Sequence, residues 1–84
     1  MKREEVQNFT DRPCRFRLKS GKEIYGVIWE WIKENTGNTE YYFASNGDVM
    51  RFRRERGNFN IKPEPQIGTY IQLDDIIYAE QINL

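Results

Sequence analysis

The sequence predicts an all-β fold: a small, strongly bent barrel of five or six antiparallel strands with a short N-terminal helix. Three observations predict it. From Cys14 onward, apolar and polar residues alternate with a period of two, which is typical of half-buried strands. Gly26 stands inside the longest apolar segment, where a residue without a side chain permits a sharp bend. Residues 73–76 have the spacing of one helical turn between two short strands.

The chain has 84 residues, and we expect a single domain over residues 1–84 because a second core does not fit this length. Two tryptophans, five tyrosines and five phenylalanines supply a dense aromatic core, which argues against disorder. The 13 basic and 13 acidic residues cancel, so the formal net charge is zero. This balance argues against a protein that coats nucleic acid by bulk charge alone.

The composition also argues against catalysis. The chain has no histidine, the side chain most used for acid–base chemistry near neutral pH and a common metal ligand. Its single cysteine, Cys14, excludes an internal disulfide and a cysteine zinc cluster. We therefore expect a binding module that is not an enzyme, with no catalytic residue, no metal and no cofactor. With neither a signal peptide nor an apolar run of membrane length, we expect a cytoplasmic protein without membrane contact.

The first half of the chain is predicted to be a helix and two strands. Residues 1–10 form a short helix, which ends before Pro13 because the residue preceding a proline disfavours the helical region. A strand with a basic outer face follows, and a turn at Gly21 leads to a second strand over residues 23–32. That second strand is apolar on both faces. Since a domain this small rarely buries a strand twice, we expect it to bend and use its faces in different halves of the barrel.

The second half is predicted to hold the remaining strands. A third strand covers residues 41–44, and Asn46-Gly47 is a strong signal for a tight hairpin turn leading into a strand over residues 49–53. The segment 55–68 is predicted to be a long, flexible connection. Residues 70–72, the helical turn and a closing strand over 77–82 complete the barrel.

The pattern resembles the Sm-like family of SH3-like small barrels, over most of the chain apart from 55–68. Sm proteins have a short N-terminal helix and five bent strands. Their first motif has two glycines five residues apart, similar to Gly21 and Gly26 here, followed by apolar and acidic positions like Ile28 and Glu30. Their second motif is similar to the stretch Tyr-Ile-Gln-Leu-Asp-Asp-Ile at residues 70–76. The resemblance implies a barrel that binds RNA and assembles into rings through its strand edges.

Two departures concern RNA recognition. Residues 32–35 contain no aspartate where the family has its Asp-and-Asn loop, and the family's basic-Gly pair is replaced by Gln72-Leu73. Without these base-reading groups, nucleic-acid binding would rest on backbone charge and base stacking. We therefore expect weak sequence selectivity.

Basic residues interleaved with aromatic ones form the first candidate site. If the outer faces of two strands are neighbours, their cations make a stripe that could follow the phosphate backbone of single-stranded nucleic acid. The alternative is a solvated face whose arginines pair with Glu23, Glu40 or Glu55. The stripe comprises Arg15, Arg17, Lys19, Arg51, Arg53, Arg54 and Arg56.

An apolar surface is the second candidate site. Trp29 and Trp31 project from the same side of their strand, and Phe59 lies in the connection. These residues would serve a protein-interaction or self-associating barrel, together with the strand edges, because tryptophan is enriched at binding hot spots. The alternative is that at least one tryptophan belongs to the core. The expected partner is single-stranded nucleic acid or another protein, including a second copy of the chain.

Overall fold

Two α-helices and five strands make up residues 1–82, the part of the chain that the computed structural model describes. The helices are α1 (Arg3–Val6) and α2 (Asn46–Arg56). The strands are β1 (Cys14–Leu18), β2 (Glu23–Ile32), β3 (Thr39–Ser45), β4 (Thr69–Ile71) and β5 (Ile76–Gln81). Two 3₁₀ turns, Pro65–Ile67 and Leu73–Asp75, flank β4. The last two residues of the predicted domain, 83 and 84, lie outside the described residues.

All five strands belong to one antiparallel sheet with the order β4-β3-β2-β1-β5. Of the predicted all-β barrel of five or six antiparallel strands, the antiparallel five-stranded sheet is confirmed, and the protein is mainly β because it also contains α2. Within residues 1–82 the two edge strands, β4 and β5, do not pair with each other, so the sheet is open. The helical turn predicted over 73–76 is present as the second 3₁₀ turn between these edges.

The predicted N-terminal helix is confirmed, although its regular part spans only α1. Val6 is fully buried, while the amino group of Met1 donates hydrogen bonds to the carbonyl oxygens of Leu73 (2.7 Å) and Ile76 (2.8 Å). A four-residue helix is not stable alone. Its docking on the second 3₁₀ turn ties the start of the chain to the segment that joins β4 and β5.

The main core lies on one face of the sheet, beneath α1. Every strand except β4 contributes a fully or almost fully buried side chain to it, and Ile71 of β4 packs against it. The buried members are Val6, Cys14, Phe16, Ile28, Tyr41, Ile76 and Ala79. The period-two alternation read from the sequence thus assigns the apolar residues of β1 to the inside, as predicted.

Strand β2 is buried on both faces, which corrects the prediction that its faces serve different halves of a barrel. Ile28 points into the main core, whereas Val27 and Trp29 belong to a second cluster on the opposite face. That second cluster is covered by Val49 of α2 and by Ile67 of the first 3₁₀ turn. A small domain manages this double burial because residues 46–67 fold back as a cover over β2 and β3.

Helix α2 replaces the hairpin predicted at Asn46-Gly47 and the strand predicted over residues 49–53. The Oγ of Ser45 accepts a hydrogen bond from the backbone N–H of Asp48 (3.2 Å), which caps the first turn. Gly57 ends the helix with φ 65°, the left-handed conformation favoured at helix C-termini. Val49 and Phe52 are buried on one helical face, so Phe52 and Met50 do not share a side as the strand prediction required.

The connection predicted over 55–68 begins inside α2 and ends just beyond the first 3₁₀ turn. Its middle is anchored to the helix. The Nε of Arg53 donates to the carbonyl oxygen of Ile61 (3.0 Å), Arg56 forms an ion pair with Glu64 (3.5 Å), and Pro63 is fully buried. The flexibility of this segment stays a prediction.

Candidate interaction surfaces

The outer face of β1 is a network of ion pairs between neighbouring strands. Arg15 faces Glu80 of β5 and Tyr25 of β2, while Arg17 faces Tyr78 and Glu23. Arg15 contacts Glu80 through Nε (2.7 Å) and Glu23 through Nη1 (2.9 Å). Arg17 also reaches Glu23 (3.0 Å). Two arginines therefore share two glutamates, and this face carries little uncompensated charge.

The ionisation of these groups reflects the network. Hydrogen bonds from Arg17 and Arg15 lower the pKa of Glu23, and the hydrogen bond from Arg15 lowers the pKa of Glu80. In return, Glu80 and Glu23 raise the pKa of Arg15. The same guanidinium lies over the ring of Tyr78, with 5.5 Å between Cζ and the ring centroid. Opposite charges at hydrogen-bond distance hold each other in the charged form.

The predicted cationic stripe is not formed by two neighbouring strands. Arg15, Arg17 and the exposed Lys19 follow β1, whose partners are β2 and β5. The other four arginines lie on α2, which packs on β2 and β3. The correction has a local cause, because the segment 49–53 is helical and its side chains radiate around an axis instead of alternating. The basic residues thus divide between a strand and a helix.

On α2 the basic residues differ in their partners. Arg51 pairs with Asp48 (3.7 Å), and Arg56 pairs with Glu64 and lies 4.8 Å from the ring centroid of Phe52. Arg53 donates to a backbone carbonyl instead of a carboxylate. Arg54 is exposed and has no carboxylate within ion-pair distance among residues 1–82. Within residues 1–82, no carboxylate therefore forms an ion pair with Arg53 or Arg54.

The three aromatic candidates are in different environments. Trp29 is fully buried under α2, so it cannot meet a partner in this conformation. Its indole N–H has no hydrogen-bond acceptor among the described residues. Trp31 is half-buried beside the same cluster, and Phe59 is 67% exposed. Trp29 is therefore a core residue, which was the alternative considered for at least one tryptophan, while Trp31 and Phe59 stay accessible.

A row of aromatic rings on β2, β3 and β4 was missed by the sequence reasoning. Trp29 stacks on Tyr42 with 6.1 Å between centroids, and Tyr42 meets Tyr70 edge to face, also at 6.1 Å. The row leads from the buried cluster to the sheet edge, where Tyr70 is half exposed. The register Trp29–Tyr42–Tyr70 produces it, and a single sequence does not show which strands are neighbours.

A groove of about 590 Å³ opens beside β4 and was also missed. It is lined by Leu18 and Lys22, at the turn between β1 and β2, and by residues of β4. Its apolar lining comes from Leu18, Ile24, Phe43 and Ile71, which are partly buried residues at the margin of the main core. Its remaining lining residues are Lys22, Thr69, Tyr70, Gln72 and Asp75. Its volume is within the range of ligand sites in proteins.

Both edges of the sheet carry exposed apolar side chains. On β5, Ile77 is 57% and Tyr78 is 44% exposed, and on β4 Tyr70 is half exposed. β4 has no charged residue, whereas natural edge strands are often protected by charge. An unpaired strand edge presents a row of backbone donors and acceptors to a further strand.

The candidate metal ligands and the single thiol have defined environments in the described part of the chain. Among residues 1–82, no three acidic, cysteine or histidine side chains come together to hold a metal ion. Cys14 is fully buried, its Sγ donates to the carbonyl oxygen of Phe9 (3.4 Å), and burial raises the pKa of its thiol. No helix within 1–82 is long and apolar enough to cross a bilayer.

Comparison with known proteins gives no relative from which a function could be transferred. No protein-family model matches the chain, and neither a curated protein nor a solved structure is significantly similar to it.

Proposed function

We propose that the protein is a non-enzymatic cytoplasmic interaction module with a small SH3/Sm-like barrel, which associates with another polypeptide through the open edges of its sheet. The barrel assignment is supported by the short helix before β1, the five antiparallel strands and the helical turn before β5. These are the features on which the resemblance to the Sm-like family rests. The polypeptide is a second copy of the chain or a different protein.

One observation carries the proposal: the edge of β4, which is uncharged and has no further strand partner among residues 1–82, lies directly beside an apolar groove. Backbone groups along an edge give affinity to an added strand, and a neighbouring pocket gives it specificity. The arginine network on β1, by contrast, is already neutralised by Glu23 and Glu80. An edge interaction is therefore favoured over the predicted arginine stripe.

The test is the mass of the protein in solution, measured with two edge variants. Thr69→Lys introduces charge on β4 and Ile77→Lys introduces charge on β5. Ile32→Lys is the matched control, because Ile32 is similarly exposed (58%) but lies on an interior strand. A defined oligomer that the edge variants dissolve supports the proposal, and a hexamer or heptamer supports a ring of the Sm type.

If the mass shows a monomer, the next experiment tests binding to other proteins. Proteins captured from a cell extract are then compared between wild type, the two edge variants and the control. Loss of a captured protein with one edge variant supports the proposal. A monomer whose captured proteins are unchanged by both edge variants overturns it.

A second candidate function is weakly selective binding of single-stranded nucleic acid through α2. It is favoured by Arg53 and Arg54, which have no carboxylate partner in the described part of the chain, and by the exposed Phe59, which lines the same surface pocket as Arg53. Affinity for a mixed-sequence oligonucleotide should fall with salt by about 0.7 log units per contacted phosphate for each tenfold rise. The double change Arg53→Ala, Arg54→Ala should reduce that slope, and Arg15→Ala, Arg17→Ala is the control. Absence of binding at low salt eliminates this candidate.

A further inference from the structure

The side chains of β4 alternate between two different surfaces. Thr69 and Ile71 face Phe43 and Tyr41 of β3 in register, and Ile71 packs against the main core. The ring of Tyr70 meets Tyr42 in the aromatic row, beside the second cluster. All three residues of β4 contribute to the lining of the groove. A strand added along β4 would repeat this alternation, because successive side chains point to opposite faces. Every second side chain of the added strand would enter the groove, and those between would lie beside Tyr70.

From this arrangement we propose that the groove beside β4 is a binding site for an extended, uncharged peptide segment with two apolar side chains separated by one residue. The proposal rests on the edge-binding function above and specifies its partner. The apolar pair enters the groove, and the residue between them contacts Tyr70 on the other face.

The size and lining of the groove define what it accepts. About 590 Å³ holds two aliphatic side chains or one large aromatic side chain with a smaller neighbour. Leu18, Ile24 and Phe43 form its apolar wall. They are only partly buried in the free protein, so a peptide would remove additional apolar surface from water. The groove therefore selects for hydrophobic side chains.

The charge of the site argues for an uncharged segment. Residues 69–72 carry no charged side chain, and the two charges at the lip of the groove, Lys22 and Asp75, have opposite sign. A strand of high net charge gains nothing along such an edge. Nucleic acid is disfavoured for the same reason, since phosphate binding needs an excess of cations.

Selection from a displayed library of random ten-residue linear peptides, with the full chain immobilised, tests this inference. The expected consensus is an apolar residue, any residue and a second apolar residue, without charge between them. The consensus peptide is then synthesised with a fluorescent label, and its affinity is measured by anisotropy. Replacing either apolar residue of the peptide by alanine should weaken binding roughly tenfold to a hundredfold.

Variants of one groove residue locate the site. Thr69→Lys, which puts a long charged side chain at the groove, should weaken binding by at least roughly tenfold. Thr69→Val keeps the shape and should bind equally or more tightly. Thr36→Lys, in the loop between β2 and β3, is the matched control and should have no effect. An unchanged circular dichroism spectrum shows that each variant is folded.

Any of three results overturns the inference. Selection yields no peptide, Thr69→Lys leaves peptide binding unchanged, or an oligonucleotide binds to the wild-type protein and no longer binds to Thr69→Lys. The first of these leaves the proposed function intact if the protein forms an oligomer that Ile77→Lys dissolves. If selection yields no peptide, the protein is a monomer and no captured partner depends on the edge variants, then both this inference and the proposed function are overturned.

Discussion

Arg15 of β1 and Glu80 of β5 face each other in register, with 2.7 Å between Nε and Oε1, and the same guanidinium reaches Glu23 of β2. One side chain therefore links three strands on the outer face of the sheet. Because β5 is an edge strand that pairs only with β1 within residues 1–82, this contact helps to fix it. The network has consequences for stability that can be measured.

Acid should destabilise the protein through Glu23 and Glu80. Their pKa values are lower in the folded state than the ordinary 4.5, so the unfolded chain binds their protons first as the pH falls. Their contribution is complete above the unfolded pKa and is lost as the pH falls through the folded values. The urea midpoint should therefore decrease as the pH falls from above 4.5 through the lowered pKa values of the folded state.

Variants distinguish the contribution of Glu23 and Glu80 to this pH dependence from that of the other acidic residues. Glu23→Gln should lower the midpoint at neutral pH and flatten its dependence on pH. Glu34→Gln is the control, since Glu34 is exposed and makes no ion pair within the described residues. An equal flattening in both variants would contradict the role assigned to the network.

Substitution of two glycines should have opposite effects. A Cβ at Gly26 would overlap the carbonyl oxygen of Ala44 and lie 2.8 Å from the Phe43 ring, so Gly26→Val should destabilise by more than about 2 kcal/mol. A Cβ at Gly47 meets nothing within 4 Å, and this residue is in the first turn of α2. Gly47→Ala should stabilise by about 0.5–1 kcal/mol. Urea denaturation measures both, and a loss of stability in Gly47→Ala would argue against the helix.

The cap of α2 should be detectable by mutation. Ser45→Ala removes the acceptor for the Asp48 N–H and should destabilise the protein by about 1 kcal/mol. Ser20→Ala, which removes a hydroxyl that accepts from Lys22 in a surface turn, should cost less. Thermal unfolding followed by circular dichroism compares them. Equal effects would mean that the segment starting at Asn46 does not depend on a helix cap.

Cys14 should react with thiol reagents only when the protein unfolds. Its side chain is fully buried, so the reagent cannot reach the sulfur. Its pKa is raised, so the fraction of reactive thiolate is small. The rate with a chromogenic disulfide should be slower in the native protein than in urea, by on the order of a hundredfold or more. Since Cys14 is the only cysteine, Cys14→Ser supplies the blank. A fast native reaction would show that the main core opens readily.

The main core beneath α1 could largely be predicted from the sequence. The alternation in β1 identified Cys14 and Phe16 as core residues, and both are fully buried. The N-terminal helix, the strand that contains Gly26 and the turn before β5 were also predicted correctly. These features are local, because a two-residue period, a missing side chain or a three-residue spacing can be read without knowing which strands are neighbours.

The helical cover over β2 and the groove beside β4 depend on contacts between segments that are distant in the sequence. Asn46-Gly47 is compatible with a hairpin turn, but Ser45 caps a helix there and the apolar face of β2 needs a cover. Val49 contributes to that cover from α2, where it shares a buried face with Phe52 because residues three apart in a helix lie on one side. The burial of this face of β2, a long-range interaction, outweighs the local preference of Asn46-Gly47 for a turn. As a result, Trp29 is fully buried. The groove beside β4 depends in the same way on the meeting of distant segments, so a local reading of the chain cannot reveal it.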